Sequence, residues 1–148
     1  MRNTLRTLLA LVAGFVVATA LIMLVETANG RIIYPELGKA AEGVTDREVL
    51  RQLLAAAPTG AFAVVLAGWA LGTIVGGFVA ARIAGRAPAG HALAVGVIIA
   101  VAAVANNLML PPPAWFRVAG PLVPLAAGAL TARLVSSRNH SGSDSPAT

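Results

Sequence analysis

Glu26, Asn106, Asn107 and Arg117 are the residues of this chain whose types and placement suit chemistry at a single depth. Glu26 follows the apolar run 8–25, the two asparagines precede Pro111, Pro112 and Pro113, and Arg117 stands near the start of the last apolar run. This placement predicts an ion pair between Glu26 and Arg117, bridged by one asparagine amide. Adjacent helical residues stand ~100° apart, so only one of the two asparagines can face inward squarely. Two uses are open for such a cluster. It can glue helices together, at about 0.6 kcal/mol per hydrogen bond. It can also form a shallow outward-facing site for a lipid headgroup or a small polar solute.

Trp69 is the second candidate. It lies about nine residues inside its apolar run, ~13 Å at helical rise, away from the interfacial belt where membrane tryptophans such as Trp115 concentrate. At that depth it either fills a packing gap or lines a cavity. His91 has no second histidine near it in sequence to complete a metal pair, and Thr19 and Thr73 are expected to bond to carbonyls of their own helices. The chain has no cysteine, no Ser–His–Asp set, no phosphate-cradling glycine loop and no carboxylate pair inside an apolar run. No ionisable residue falls at the midpoint of a run, where pumps and ion-coupled transporters place theirs. The expectation is a protein that is not an enzyme and uses no cofactor and no metal.

The elements that must position these residues follow from composition. Of 148 residues 57% are apolar and 11% are charged, whereas a soluble domain carries about 25% charged residues to face water. A water-soluble globule is excluded on that ground, which leaves an all-α integral membrane protein. A span needs about 20 apolar residues, and runs of that length place four transmembrane spans at about 7–26, 60–82, 90–110 and 114–135. Pro121 and Pro124 fall inside the fourth, where a kink is expected rather than a break because neighbouring helices satisfy the freed carbonyls. A cleaved signal peptide competes for the first run, with Ala18-Thr19-Ala20 as its site. The run continues through Val25, however, and reaches spanning length.

Between spans 1 and 2, Thr45-Asp46-Arg47-Glu48 matches a capping box with Thr45 as N-cap. Val49, Leu50, Leu53 and Leu54 then share one face, so a short amphipathic helix is expected at about 46–57, either covering the outer ends of the spans, the simpler arrangement, or lying in the membrane interface. The Ser-rich segment 136–148 reads as a disordered tail. Arg2, Arg6, Arg82, Arg86, Arg133 and Arg138 lie on one side with Asp144, whereas the other side carries five charges of each sign. The whole net charge of +5 therefore sits on the side of the termini, which the positive-inside rule assigns to the cytoplasm. Basic residues at span edges rather than in a stripe argue against a nucleic-acid partner. Arg exceeds Lys ten to one and Ala supplies 32 residues, a bias that suggests a bacterial source and an inner-membrane location.

Gly68, Gly72, Gly76 and Ala80 recur at four-residue spacing on one face of span 2. Weaker rows are Ala10, Gly14, Ala18 in span 1, Ala92, Gly96, Ala100 in span 3, and Gly120, Pro124, Gly128, Ala132 in span 4. Small residues at this spacing let helix backbones approach closely. The rows predict a tight four-helix bundle, or contact with a second copy or a larger membrane complex. The leading functional expectation is a non-enzymatic interaction or accessory protein of the lipid bilayer that assembles through these faces. The alternative is a small channel or transporter for a neutral or lipid-like solute.

Overall fold

The computed structural model describes residues 2–110 and 112–140, and these are all-helical. Six α-helices follow one another: α1 (Arg2–Ala28), α2 (Pro35–Ala41), α3 (Arg47–Ala56), α4 (Thr59–Ala84), α5 (Pro88–Met109) and α6 (Ala114–His140). A π-helical turn, Asn29–Ile33, prolongs α1 without a break. With this turn α1 is long and apolar enough to cross a membrane, and so are α4, α5 and α6.

Helix ends deviate from the sequence reading in instructive ways. Glu26 does not end the first helix. Nothing after it breaks a helix until Pro35, so the backbone continues through the π turn and Glu26 becomes an interior position. Pro35 opens α2, which the sequence reading did not anticipate; its fixed φ suits a first helical position and its missing N–H is no loss there. Helix α3 is capped by Asp46, not Thr45: the Asp46 carboxylate accepts from the Glu48 and Val49 amides at 2.8 and 3.1 Å. Glu48 is therefore not a reciprocal cap, and turns to Arg51 and Gln52 instead. At the other extreme α6 continues through 136–140, and the remainder of the expected tail, 141–148, lies outside the described residues.

Small residues set the helix pairing. Helix α4 is central: it packs on α1, α5 and α6, whereas α1 does not pack on α6. The row Gly68, Gly72, Gly76 faces α1. An added methyl group would meet Val25 Cγ1 at 2.8 Å from Gly68, the Ala18 carbonyl at 2.7 Å from Gly72 and Ala18 Cβ at 2.7 Å from Gly76. Gly96 of α5 and Gly128 of α6 meet in the same manner, with a Gly96 methyl 2.9 Å from Gly128 Cα. Backbones this close gain dispersion contacts that a lipid chain cannot supply. The glycine rows named from sequence are therefore occupied within the chain.

The registers run antiparallel for α1 with α4 and for α5 with α6, so the N-terminus of α1 and the C-terminus of α6 lie at one end. Arg6 Nε donates to the Ile83 carbonyl there (2.7 Å), and His91 contacts Thr7 and the Ala87 carbonyl. The π turn, α2 and α3 occupy the opposite, connector end. Helix α6 runs unbroken through both prolines. Pro121 has no N–H to offer the carbonyl four residues earlier, which belongs to Arg117, and Asn107 Nδ2 donates to that oxygen at 3.3 Å. An amide from α5 thus replaces the bond that Pro121 removes.

Candidate functional site

Toward the connector end the residues packed between α4, α5 and α6 are large. Phe62 and Trp69 stand seven apart on one face of α4, and Trp115 and Phe116 open α6. Phe62 and Phe116 have ring centroids 5.1 Å apart, Trp69 meets Phe116 at 5.6 Å, and Trp115 meets both Phe62 and Phe116 at 5.7 Å. Edge-to-face and tilted rings of this kind pack firmly. Ala103 completes the cluster, with Ile22, Leu54, Val65 and Leu66 against it.

Above these rings lies a partly open chamber of about 370 Å³, walled by all six described α-helices. Phe62, Val65 and Phe116 line it on the bundle side. Leu37 of α2 and Leu50, Leu53 and Leu54 of α3 cover it, and Glu26, Asn29 and Asn106 supply its polar side chains. Helix α3 turns Arg47, Glu48, Arg51 and Gln52 outward and keeps its leucines half-buried. Arg47 ties it to α5 by donating to the Leu108 carbonyl at 2.8 Å. That carbonyl belongs to the last turn of α5, where helical donors have run out and the helix dipole favours a cation. The chamber falls in the ordinary size range of small-molecule sites, which are mostly apolar with a few placed polar groups.

Glu26 is the chemical centre of this wall. Trp69 Nε1 donates to Glu26 Oε1 at 2.8 Å. The bond forms because residues 26 and 69 lie level in the antiparallel α1–α4 register, in which Val25 lies against Gly68. Indole N–H is a donor only, and a buried one seeks an acceptor. Trp69 is 5% exposed, yet the Glu26 side chain beside it remains accessible. A second groove of about 450 Å³ adjoins the chamber, sharing Glu26, Gly30, Gly38 and Ala41, and adds Arg31, Lys39 and Glu42.

The expected ion pair between Glu26 and Arg117 is absent: among the described residues the salt bridges are Lys39–Glu36 and Arg51–Glu48. The reason is azimuth, since α1 packs on α4 and does not reach α6. Asn106 and Asn107 part as adjacent helical residues must. Asn106 lines the chamber with Glu26, whereas Asn107 is buried against α6 and uses its amide on the Arg117 backbone. The Arg117 side chain lies outside the chamber. Asn29, which the sequence reading left unassigned, is 7% exposed and donates through Nδ2 to the Ala61 carbonyl at 3.1 Å, pinning the π turn to the start of α4. Its Oδ1, the Asn107 Oδ1 and the Thr73 hydroxyl are buried without a partner. Thr19 bonds to the Phe15 carbonyl at 2.9 Å as expected of a mid-helix threonine, but Thr73 makes no such bond. The aromatic residues Phe62 and Phe116 were also missed, although the seven-residue spacing of Phe62 and Trp69 is visible in the sequence.

Outside the chamber, α3 carries the one strongly displaced carboxyl among the described residues. Hydrogen bonds from Arg51, and then from Gln52, hold Glu48 at a pKa of about 2, below its ordinary 4.5. Comparison with protein-family models, with curated proteins and with solved structures finds no match.

Proposed function

We propose that this chain is a non-enzymatic, multi-pass protein of a bacterial inner membrane that holds a lipid-like molecule in the chamber at its outer face. The four long apolar helices cross the bilayer in this reading, with both termini in the cytoplasm and α2 and α3 outside. One observation carries the reading: apolar walls from all six helices enclose about 370 Å³ beside a carboxylate and two amides. An alkyl chain gains about 0.8 kcal/mol per methylene removed from water, and the polar wall gives its head a place to stop.

The packing beneath supports holding rather than conduction. Phe62 and Phe116 floor the chamber with Trp69 packed against Phe116, and farther down Ala18, Ala80, Val95 and Ile99 are packed together. Assembly through the α4 glycine row would first require α1 to leave it, so the chamber rather than the row is the better candidate for a partner. Native mass spectrometry of protein extracted in mild detergent tests the proposal. Wild type should retain an amphiphile and Leu54→Trp, which fills the chamber, should lose it. Retention by neither, or equally by both, would refute the reading.

A further inference from the structure

Resting on that reading, we infer that the head of the bound amphiphile is an amine carried in its protonated form, and that Glu26 is its counter-charge. Of the described residues that line the chamber, Glu26 alone is ionisable, and none of them is Lys, Arg or His. Glu26 makes no salt bridge among the described residues. One of its oxygens is fixed by the Trp69 indole at 2.8 Å, which orients the carboxylate without neutralising it. An anionic head at this wall meets a carboxylate that no salt bridge engages, and a neutral head leaves that carboxylate without a direct counter-charge. An ammonium resolves both, because it donates to the carboxylate through a charge-assisted hydrogen bond.

The surrounding rings select the same charge. Phe62 and Phe116 line the chamber with Glu26 and belong to one continuous array with Trp69. Aromatic faces attract cations within about 6 Å, most strongly where water is excluded. Trp69 is a positioning residue here, acting through Glu26. The adjoining groove carries Arg31 and Lys39 beside Glu42, and Lys39 is paired with Glu36, so Arg31 is the cation there that a phosphate on the same molecule would meet.

The test uses the full chain in maltoside micelles, with dodecylamine, dodecanol and dodecyl sulfate as probes of one chain length. Wild type should bind dodecylamine at least about tenfold more tightly than dodecanol, the scale of one hydrogen bond to a charged group. Dodecyl sulfate should bind more weakly than either. Glu26→Gln keeps an acceptor for Trp69 and should lose the tenfold preference while binding dodecanol as before. Equal binding of dodecylamine and dodecanol by wild type overturns the amine inference but leaves the chamber reading standing. No binding of any probe overturns the chamber reading itself. Because the probe comparison is made on wild type, it does not depend on the folding of the variant. Displacement of dodecylamine by a single-chain ethanolamine phospholipid, and not by its glycerol counterpart, would identify the membrane as the source of the amine. Displacement by neither identifies a free amine.

Discussion

If Asn107 exists to satisfy the carbonyl that Pro121 orphans, its value must vanish when the proline does. Replacing Pro121 by Ala restores an N–H four residues after Arg117, so the helix can close its own bond and the Asn107 amide becomes redundant. The magnitude follows from the geometry. Hydrogen bonds between membrane helices average about 0.6 kcal/mol and reach about 1.7. At 3.3 Å the Asn107 bond is long and only partly buried, which argues for the low end, but its loss strands a carbonyl facing the bundle, where an unmet acceptor costs about 1–3 kcal/mol when fully buried. A coupling near 1 kcal/mol is expected. Asn107→Leu should therefore destabilise the wild type by about 1 kcal/mol. In the Pro121→Ala background it should be neutral or stabilising, since it also removes the unpartnered Oδ1. The assay is a double-mutant cycle of reversible unfolding in mixed micelles, read by circular dichroism. Independent sites add to within about 0.3–0.5 kcal/mol, so a coupling below that band would refute the assignment of Asn107 to the proline.

Other outcomes follow from the same geometry. Gly76→Leu drives a side chain into α1, where even a Cβ stands 2.7 Å from Ala18 Cβ, and should cost about 2 kcal/mol or more. Gly90→Ala, a helical position with nothing within 4 Å, should gain up to about 1 kcal/mol; unfolding of the pair side by side checks the contrast. For Glu48 the folded pKa of about 2 lies below the ordinary 4.5. Its contribution to α3 is therefore complete above pH 4.5 and lost as the pH falls through 2. Carboxyl titration by NMR should show that midpoint, and Arg51→Ala should return it toward 4.5. Because the chain has no cysteine, single substitutions report topology cleanly. Glu42→Cys should react with an impermeant maleimide in intact cells, and Arg86→Cys only after permeabilisation; the reverse would invert the proposed orientation.

The long apolar helices were legible because hydropathy integrates over twenty residues and tolerates errors at either end. The end of α1 was not. Glu26 looked like a boundary on the rule that charge stays outside apolar runs, but whether a helix continues is decided by backbone geometry, and no residue resists it before Pro35. That displacement also hid the partner of Glu26. Depth along a span can be counted from sequence, and it placed Glu26, Asn106 and Arg117 toward one end. Azimuth cannot, because it depends on which helices touch. With α1 against α4 and away from α6, Glu26 finds the indole at its own level instead of the guanidinium across the bundle. The two asparagines show the same division: their separation onto different faces was predictable, but which of them would reach α6 was not.

The chamber itself follows from a gradient of side-chain size along the bundle axis. Toward the termini the contacts are made by Gly14, Ala18, Gly76, Ala80, Gly96 and Gly128, and backbones nearly touch. Toward the connector they are made by Ile22, Phe62, Val65, Trp69 and Phe116. Rings of this size between α4 and α6 need more room than the small residues lower down, even though α1 stays close to α4 at Gly68. Beside them is a space that the rings line but do not fill, and the leucines of α3 rest over it. In this view the glycine rows and the binding chamber are a single device. The rows fix a pivot, so the volume above is set by the rings, and shrinking one of them should let the helices close rather than enlarge the chamber. Phe116→Ala should then weaken dodecylamine binding, not accommodate a bulkier amine. An increase in affinity for branched or double-chain amines in that variant would show that the helices are held apart by something other than the rings.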